Sequence, residues 1–443
     1  MSSQTFADFA PINDPDELVD WMRLGGRPRD LWAVGTEHEK IGYSSTAAAY
    51  PTYEGDAGIG VLLEALVAKA GWVASREGND IVALARSGTT ITLEPGGQLE
   101  LSGEPLLTLA EQVTELDTHF EELRRFSEPL GLTWSGMGHA PFGTAAQAPQ
   151  MPKSRYRIMR GYLPPRGRLA MNMMHQTCTV QANLDFDTEA DASRKFRAAL
   201  MVQPLVIALW AASTVIEGRI VPQRSFRSTV WNEVDNARCK LPDTLLGPNP
   251  SLHDYVQWAL DVPMFFIHRE GDYVPVNGLV FRRFLDVGFG DHRATIGDFA
   301  LHLSTLFPDV RLKRHLEVRG ADMGDRAHVL ALPALHAGLL YDDLALAEAS
   351  RLFADVTPAD WRAVRLDVET QGLDASLRGQ KLSGWWAALL PSIREGLRRL
   401  EPGSEDLLGV LVDDLARLEC PADRHRLSFT GDPLALLIQN RVC

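Results

Sequence analysis

Alternation of apolar and polar positions marks five short stretches of the chain as strands. In Val34–Ile41, Glu37 and Glu39 share one face. In Thr90–Glu94, Glu94 falls in line with Thr90 and Thr92, and in Gln98–Ser102, Gln98, Glu100 and Ser102 alternate with Leu99 and Leu101. In Thr177–Phe186, Thr179, Gln181, Asn183 and Asp185 oppose Cys178, Val180, Leu184 and Phe186. Arg311–Arg319 reads as one further strand, with Glu317 and Arg319 opposite Leu316 and Val318. Strand side chains point alternately to the two faces. Each stretch therefore has one apolar face to bury and one face of acids and amides to leave open.

Between the strands the apolar spacing turns helical. Asp14-Pro15 predicts a helix start running through Leu24. Further helices are expected over about 57–70, 106–128, 188–216, 252–260, 297–305, 343–353, 358–368, 382–399, 403–417 and 432–440. Gly131–Pro152, rich in Gly, Ala, Gln and Pro, reads as a mobile loop near a site. The pattern predicts a single α+β catalytic domain over residues 1–443, with a curved, mostly antiparallel sheet forming a funnel and helices outside. The acid-faced strands fall within about 30–320, and a helical outer layer is expected over about 331–443.

Composition narrows the partners. With 45% apolar and 23% charged residues the chain has globular composition, and its net charge of −14 argues against a nucleic acid or an anionic membrane as partner. The uncharged run Ala198–Ile216 contains Gln203 and Pro204 and follows an amphipathic segment, so it reads as a core helix kinked at the proline. The N-terminus has no basic or apolar leader pattern, and the four cysteines (Cys178, Cys239, Cys420, Cys443) show no CxxC or metal spacing. Both features point to a cytoplasmic protein with reduced thiols. Carboxylates gathered on one face repel unless cations neutralise them. Hard oxygen donors without paired Cys or His suit Mg²⁺, with substrate phosphates completing its shell.

The segments Gly35–Lys40 (GTEHEK), Ile91–Gly103 (ITLEPGGQLELSG), Met151–Met159, Thr177–Phe186 and Leu316–Asp322 together resemble the plant-type glutamate–cysteine ligases, also found in proteobacteria. The resemblance runs in order from about residue 12 to Leu437. It implies a fold related to the glutamine synthetase catalytic domain. It also implies ATP-dependent joining of the γ-carboxylate of L-glutamate to the amine of L-cysteine through γ-glutamyl phosphate, the first step of glutathione synthesis.

By motif match, Glu37, Glu39, Glu94, Glu100 and Glu317 are expected to ligate two or three Mg²⁺ ions. Gln181, Lys153, Arg157 and Lys313 fall on the nucleotide side, with Arg314 beside them. Arg155 and Arg227 match arginines that grip substrate carboxylates, as a planar fork does better than a lysine. Arg319, Glu317 and Arg227 form the expected catalytic set, with Arg319 stabilising the transferring phosphoryl group. Phe265, in Pro263–Ile267, stands where the plant enzymes carry a tyrosine in the cysteine pocket. The missing hydroxyl is worth ~0.5–1.5 kcal/mol. Val113, Leu330 and Val276 occupy three of the sites where the plant enzymes have regulatory cysteines, which predicts a redox-insensitive monomer.

Two other readings stay open at this level. One is a glutamate ligase with a different amine acceptor, which an acceptor scan of ADP release would reveal. The other is a metal- or nucleotide-binding relative without turnover, which would bind but release no phosphate.

Overall fold

The acidic stretches assemble into one nine-stranded sheet in a computed structural model that describes residues 11, 12 and 14–443. Its strands are β1 (Val34–Ser44), β2 (Val73–Glu77), β3 (Asp80–Arg86), β4 (Thr89–Leu93), β5 (Leu99–Ser102), β6 (Leu132–Ser135), β7 (Val180–Leu184) and the pair Val310–Leu312 and Leu316–Val318. The order is Val310–Leu312, Leu316–Val318, β7, β1, β5, β4, β3, β2, with β6 on the second half of β1, and every pairing is antiparallel. Successive hairpins build the β2–β5 half. Ser87 and Gly88 have φ of 48° and 87°, the left-handed pair that a two-residue hairpin turn requires.

The register places the polar positions on one face. Glu37 lies between Ser102 on β5 and Gln181 on β7, Glu39 lies opposite Glu100, and Glu317 lies opposite Asn183. The other face presents Leu99, Leu101, Ile91, Val180, Ala182, Leu184, Leu316 and Val318, all buried. The helix Arg326–Leu340 contacts β1 and β7, and its residues His328 to Leu340 are all buried. The C-terminal third is therefore more than an outer layer. Its first helix is apolar on nearly every side because it lies inside the core. One buried apolar core includes residues from Leu18 to Cys443.

Three expectations are corrected. Arg311–Arg319 is a hairpin, not one strand: Lys313 N–H donates to His315 C=O at 2.9 Å and the chain reverses. The helix expected to reach 216 ends at Trp210 after passing through Pro204. The loop expected over Gly131–Pro152 begins only after β6, and part of it lies in the interior, with Met137, His139 and Ala140 fully buried. Helices Ser154–Tyr162 and Ala170–Gln176 follow it, and with the strand Phe266–Arg269 they form a second apolar cluster of Tyr156, Met159, Tyr162, Met173, Met174, Phe265 and Phe266. Among the described residues no single helix is long and apolar enough to cross a membrane.

Candidate active site

The polar face of the sheet floors a cavity of about 360 Å³. Glu37 and Glu39 from β1, Glu100 from β5, Gln181 and Asn183 from β7, and Glu94 from the turn after β4 all line it. That turn is tight. Gly97 has φ of 87°, and a Cβ on Gly96 would stand 2.3 Å from the carbonyl oxygen of His175. Only glycine allows both the conformation and the close approach. Arg155, Arg311, Lys313, Arg314 and Arg319 line the same cavity.

A second cavity of about 100 Å³ adjoins the first. Glu39, Glu94, Arg155, Ser304, Phe307 and Arg319 line both, so these six residues form the boundary. The smaller space is walled by Met159, Met173, Met174, Trp231 and Phe266, with Arg227 among them. An anionic floor therefore opens into a thioether- and aromatic-lined recess.

The carboxylates are oriented by hydrogen bonds. Asn183 Nδ2 donates to Glu37 Oε1 at 2.7 Å, Thr179 N–H to Glu39 Oε2 at 2.9 Å, and Thr92 Oγ1 to Glu100 Oε2 at 2.7 Å. Tyr156 OH reaches Glu94 Oε1 at 3.3 Å. Burial, and then the neighbouring Glu94 and Glu100, push the Glu39 carboxyl well above the ordinary range. Burial, then Glu94 and Glu37, raise Glu100 to about 7. These groups resist ionising together in the absence of a cation. In each pair of oxygens one accepts a hydrogen bond and, among the described residues, the other accepts none. Such a set fits a hard divalent cation. As the side chains stand, no three of the described acids, histidines or cysteines converge on one point.

Glu317 is different, and its expected place among the metal ligands is corrected. It is fully buried, and its oxygens accept from Arg311 Nη2 and Nε (2.6 and 2.7 Å), Lys313 Nζ (2.9 Å) and Arg319 Nη1 (2.8 Å). Burial alone would raise its pKa, but Arg311, Lys313 and Arg319 hold it well below the carboxylate range. Its lone pairs are occupied, so it positions three cations. One of them, Arg319, also donates to Gln181 Oε1 at 2.5 Å and faces both cavities.

Other expected residues are distributed unevenly. Arg155 faces both cavities. Arg227 faces the small one, but its terminal nitrogens donate to the backbone oxygens of Arg319 (3.0 Å) and Gly320 (3.3 Å), close to Asp322. Lys153 lies behind the wall, on Leu93 C=O and Tyr156 OH, and burial lowers it to about 8. Arg157 is exposed and lines neither cavity, because its helix turns it outward. Phe265 is also corrected. Phe266, the first residue of its strand, lines the recess, while Phe265 just before it packs beneath the Arg238 guanidinium at 3.8 Å and against Tyr162.

Several contributors were not singled out by the sequence pattern: Arg311, Phe266, Phe307, Trp231 and the three methionines. Arg311 alone carried a signal, since it shares the period-two face of Glu317 and Arg319. On the reverse face of β1, Lys40 is fully buried against His38 Nδ1 at 2.8 Å, and burial lowers it to about 7.

Comparison with known proteins agrees with this geometry. The profile of glutamate-cysteine ligase family 2 (GCS2) matches residues 33–384. The chain is 39% identical over 420 residues to the chloroplastic glutamate–cysteine ligase of Brassica juncea, covering 94% of this chain and 81% of that protein. It is 38% identical over 421 residues to the chloroplastic enzyme of Arabidopsis thaliana, covering 94% and 80%. These names overturn the expected cytoplasmic location, which is withdrawn. Among solved structures, the glutamate–cysteine ligase of Francisella tularensis in complex with AMP superposes with a TM-score of 0.58 at 12% identity, covering 92% of this chain and 88% of that one. A bifunctional glutathione synthetase from Pasteurella multocida gives 0.56 at 12% identity, covering 95% and 52%. At that identity the likeness is one of fold.

Proposed function

We infer the reaction from family and site together: the chain belongs to glutamate–cysteine ligase family 2. It joins the γ-carboxylate of L-glutamate to the amine of L-cysteine, with ATP split to ADP and phosphate. The observation that supports this best is the pairing of a cavity with an acidic floor and cationic walls to a thioether-lined recess across six shared residues.

A carboxylate and an amine do not condense unaided in water, so the carboxylate must first be activated. A γ-carboxylate oxygen attacks the terminal phosphorus of ATP and ADP leaves, giving the acyl phosphate. The amine nitrogen of cysteine then attacks the acyl carbon; the carbon–oxygen bond breaks, phosphate leaves, and the nitrogen loses a proton. Glu37, Glu39, Glu94 and Glu100 would hold Mg²⁺, which supplies the charge neutralisation that phosphoryl transfer between two anions needs. Arg319 aims a rigid fork at the boundary of the two cavities, where negative charge builds on the transferring group. Arg155 stands where a substrate carboxylate can be gripped. Met159, Met173, Met174 and Phe266 offer soft, apolar contacts to a thiol side chain. Lys313 and Arg314 line the larger cavity and would offer positive charge to nucleotide phosphates.

An acceptor scan tests the reading. With glutamate, ATP and Mg²⁺ present, ADP release should respond to cysteine far more than to serine or alanine. Equal release with all acceptors would point to a different ligase.

A further inference from the structure

Arg311 is 6% exposed and uses its guanidinium in two directions. Nε and Nη2 fork onto the carboxylate of Glu317 at 2.7 and 2.6 Å. Nη1 spans the carbonyl oxygens of Ser304 (2.7 Å) and Leu306 (2.9 Å). The first contact leads to Arg319, which Glu317 holds at 2.8 Å. The second leads to the segment 304–307, which supplies Ser304 and Phe307 to the boundary between the cavities. The same segment is held from its other side. Arg238 Nη1 donates to Thr305 C=O at 3.0 Å, and Phe307 N–H donates to Arg238 C=O at 2.8 Å. Arg238 is itself fixed by Asp235 at 2.8 Å and by the ring of Phe265.

One buried guanidinium thus ties the cation at the boundary to the wall of that boundary. A lysine could satisfy a single acceptor line here but could not fork onto Glu317 and bridge two carbonyls at once. We propose that Arg311 is a positioning residue that sets Arg319 and the Ser304–Phe307 wall together, so that the activated glutamyl group passes to the amine and not to water. If the wall loosens, water oxygen attacks the acyl carbon, the carbon–oxygen bond to phosphate breaks, and glutamate and phosphate are released. ATP is then consumed without dipeptide. The proposal rests on the ligase reading above.

The test measures ADP and dipeptide in parallel for the full chain and for Arg311→Lys, with glutamate, ATP, Mg²⁺ and subsaturating cysteine, alongside a thermal melt. A folded Arg311→Lys should raise the ADP-to-dipeptide ratio about threefold or more, beyond any fall in kcat; the ratio reports partition of an intermediate, which loss of folded protein does not move. If Arg311→Lys does not fold, Arg311→Gln, which gives up the fork onto Glu317 and keeps one amide donor, carries the test with the same expected rise. A folded variant that keeps the wild-type ratio while kcat falls overturns the proposal. Wild-type protein that releases ADP without forming dipeptide overturns the ligase reading instead, and this proposal with it.

Discussion

Glu39 and Glu100 stand directly opposite each other on β1 and β5, two like charges in a closely paired antiparallel register. Directly opposed like charges destabilise a sheet, and here both carboxyls are also partly buried and pushed upward in pKa. The arrangement is unfavourable for the protein alone and favourable for a protein holding a cation.

That strain has a pH signature. The folded pKa of Glu100, about 7, lies above its ordinary 4.5. The folded state then binds more protons than the unfolded one between these values. This contribution to stability is present below pH 4.5 and is lost as pH rises to 7. In EDTA, the melting temperature should fall between pH 5 and pH 7. Glu100→Gln should flatten that fall by roughly 2–4 °C, the shift that about 1 kcal/mol gives in a large domain. Mg²⁺ should stabilise the wild type more at pH 7 than at pH 5. Melts in EDTA and in Mg²⁺ check all three outcomes.

Glu37→Gln and Glu94→Gln should lose activity by about a hundredfold or more while melting within a few degrees of wild type, since each removes a cavity-facing acid that repels its neighbours. Glu317→Gln should behave otherwise. It strips the partner from Arg311, Lys313 and Arg319 inside the core, and breaking such a buried arrangement costs about 3–5 kcal/mol. Activity and thermal stability measured side by side separate the two classes. A Glu317 variant of unchanged stability would contradict the three-cation hub.

The sequence made the acidic face legible because side-chain alternation in strands is strict. Glu37, Glu39, Glu100 and Gln181 occupy the face their spacing demanded; Glu94, expected as the last position of its strand, instead sits in the turn just after Leu93 and still lines the cavity. What escaped it depends on contacts distant in sequence. Lys313-Arg314-His315 contains no glycine, proline or asparagine, so nothing local announced the hairpin that brings Arg311 onto Glu317. Once the chain reverses, Glu317 meets Arg311 and ceases to resemble a free ligand. The Met-rich stretch Ala170–Gln176 has no clear periodicity because it is buried on several sides. Phe265 and Phe266 are chemically identical neighbours, and only the packing of Arg238 on one of them decides which faces the recess.

That pair gives a third expectation. Phe266→Leu should raise the KM for cysteine by about tenfold, the scale of a lost aromatic contact, with little change in melting. Phe265→Ala should instead lower stability by about 3–5 kcal/mol, because it empties a buried ring site under Arg238. Kinetics and melts on both variants check the assignment; a cysteine-specific KM effect confined to Phe265 would reverse it.

All four cysteines are free thiols, with Cys178, Cys420 and Cys443 buried and Cys239 partly so. Burial raises the pKa of Cys178, Cys239, Cys420 and Cys443, which keeps them as unreactive thiols. Activity and sedimentation should be unchanged by incubation with strong reductant. A several-fold activity change on reduction would contradict this.

In the proposed reaction ATP phosphorylates the γ-carboxylate of glutamate before the amide forms. Glutamate labelled with heavy oxygen in its γ-carboxylate, turned over with ATP, Mg²⁺ and cysteine, tests this most directly. The phosphate released should carry one labelled oxygen per dipeptide formed. Dipeptide formation with unlabelled phosphate would contradict it.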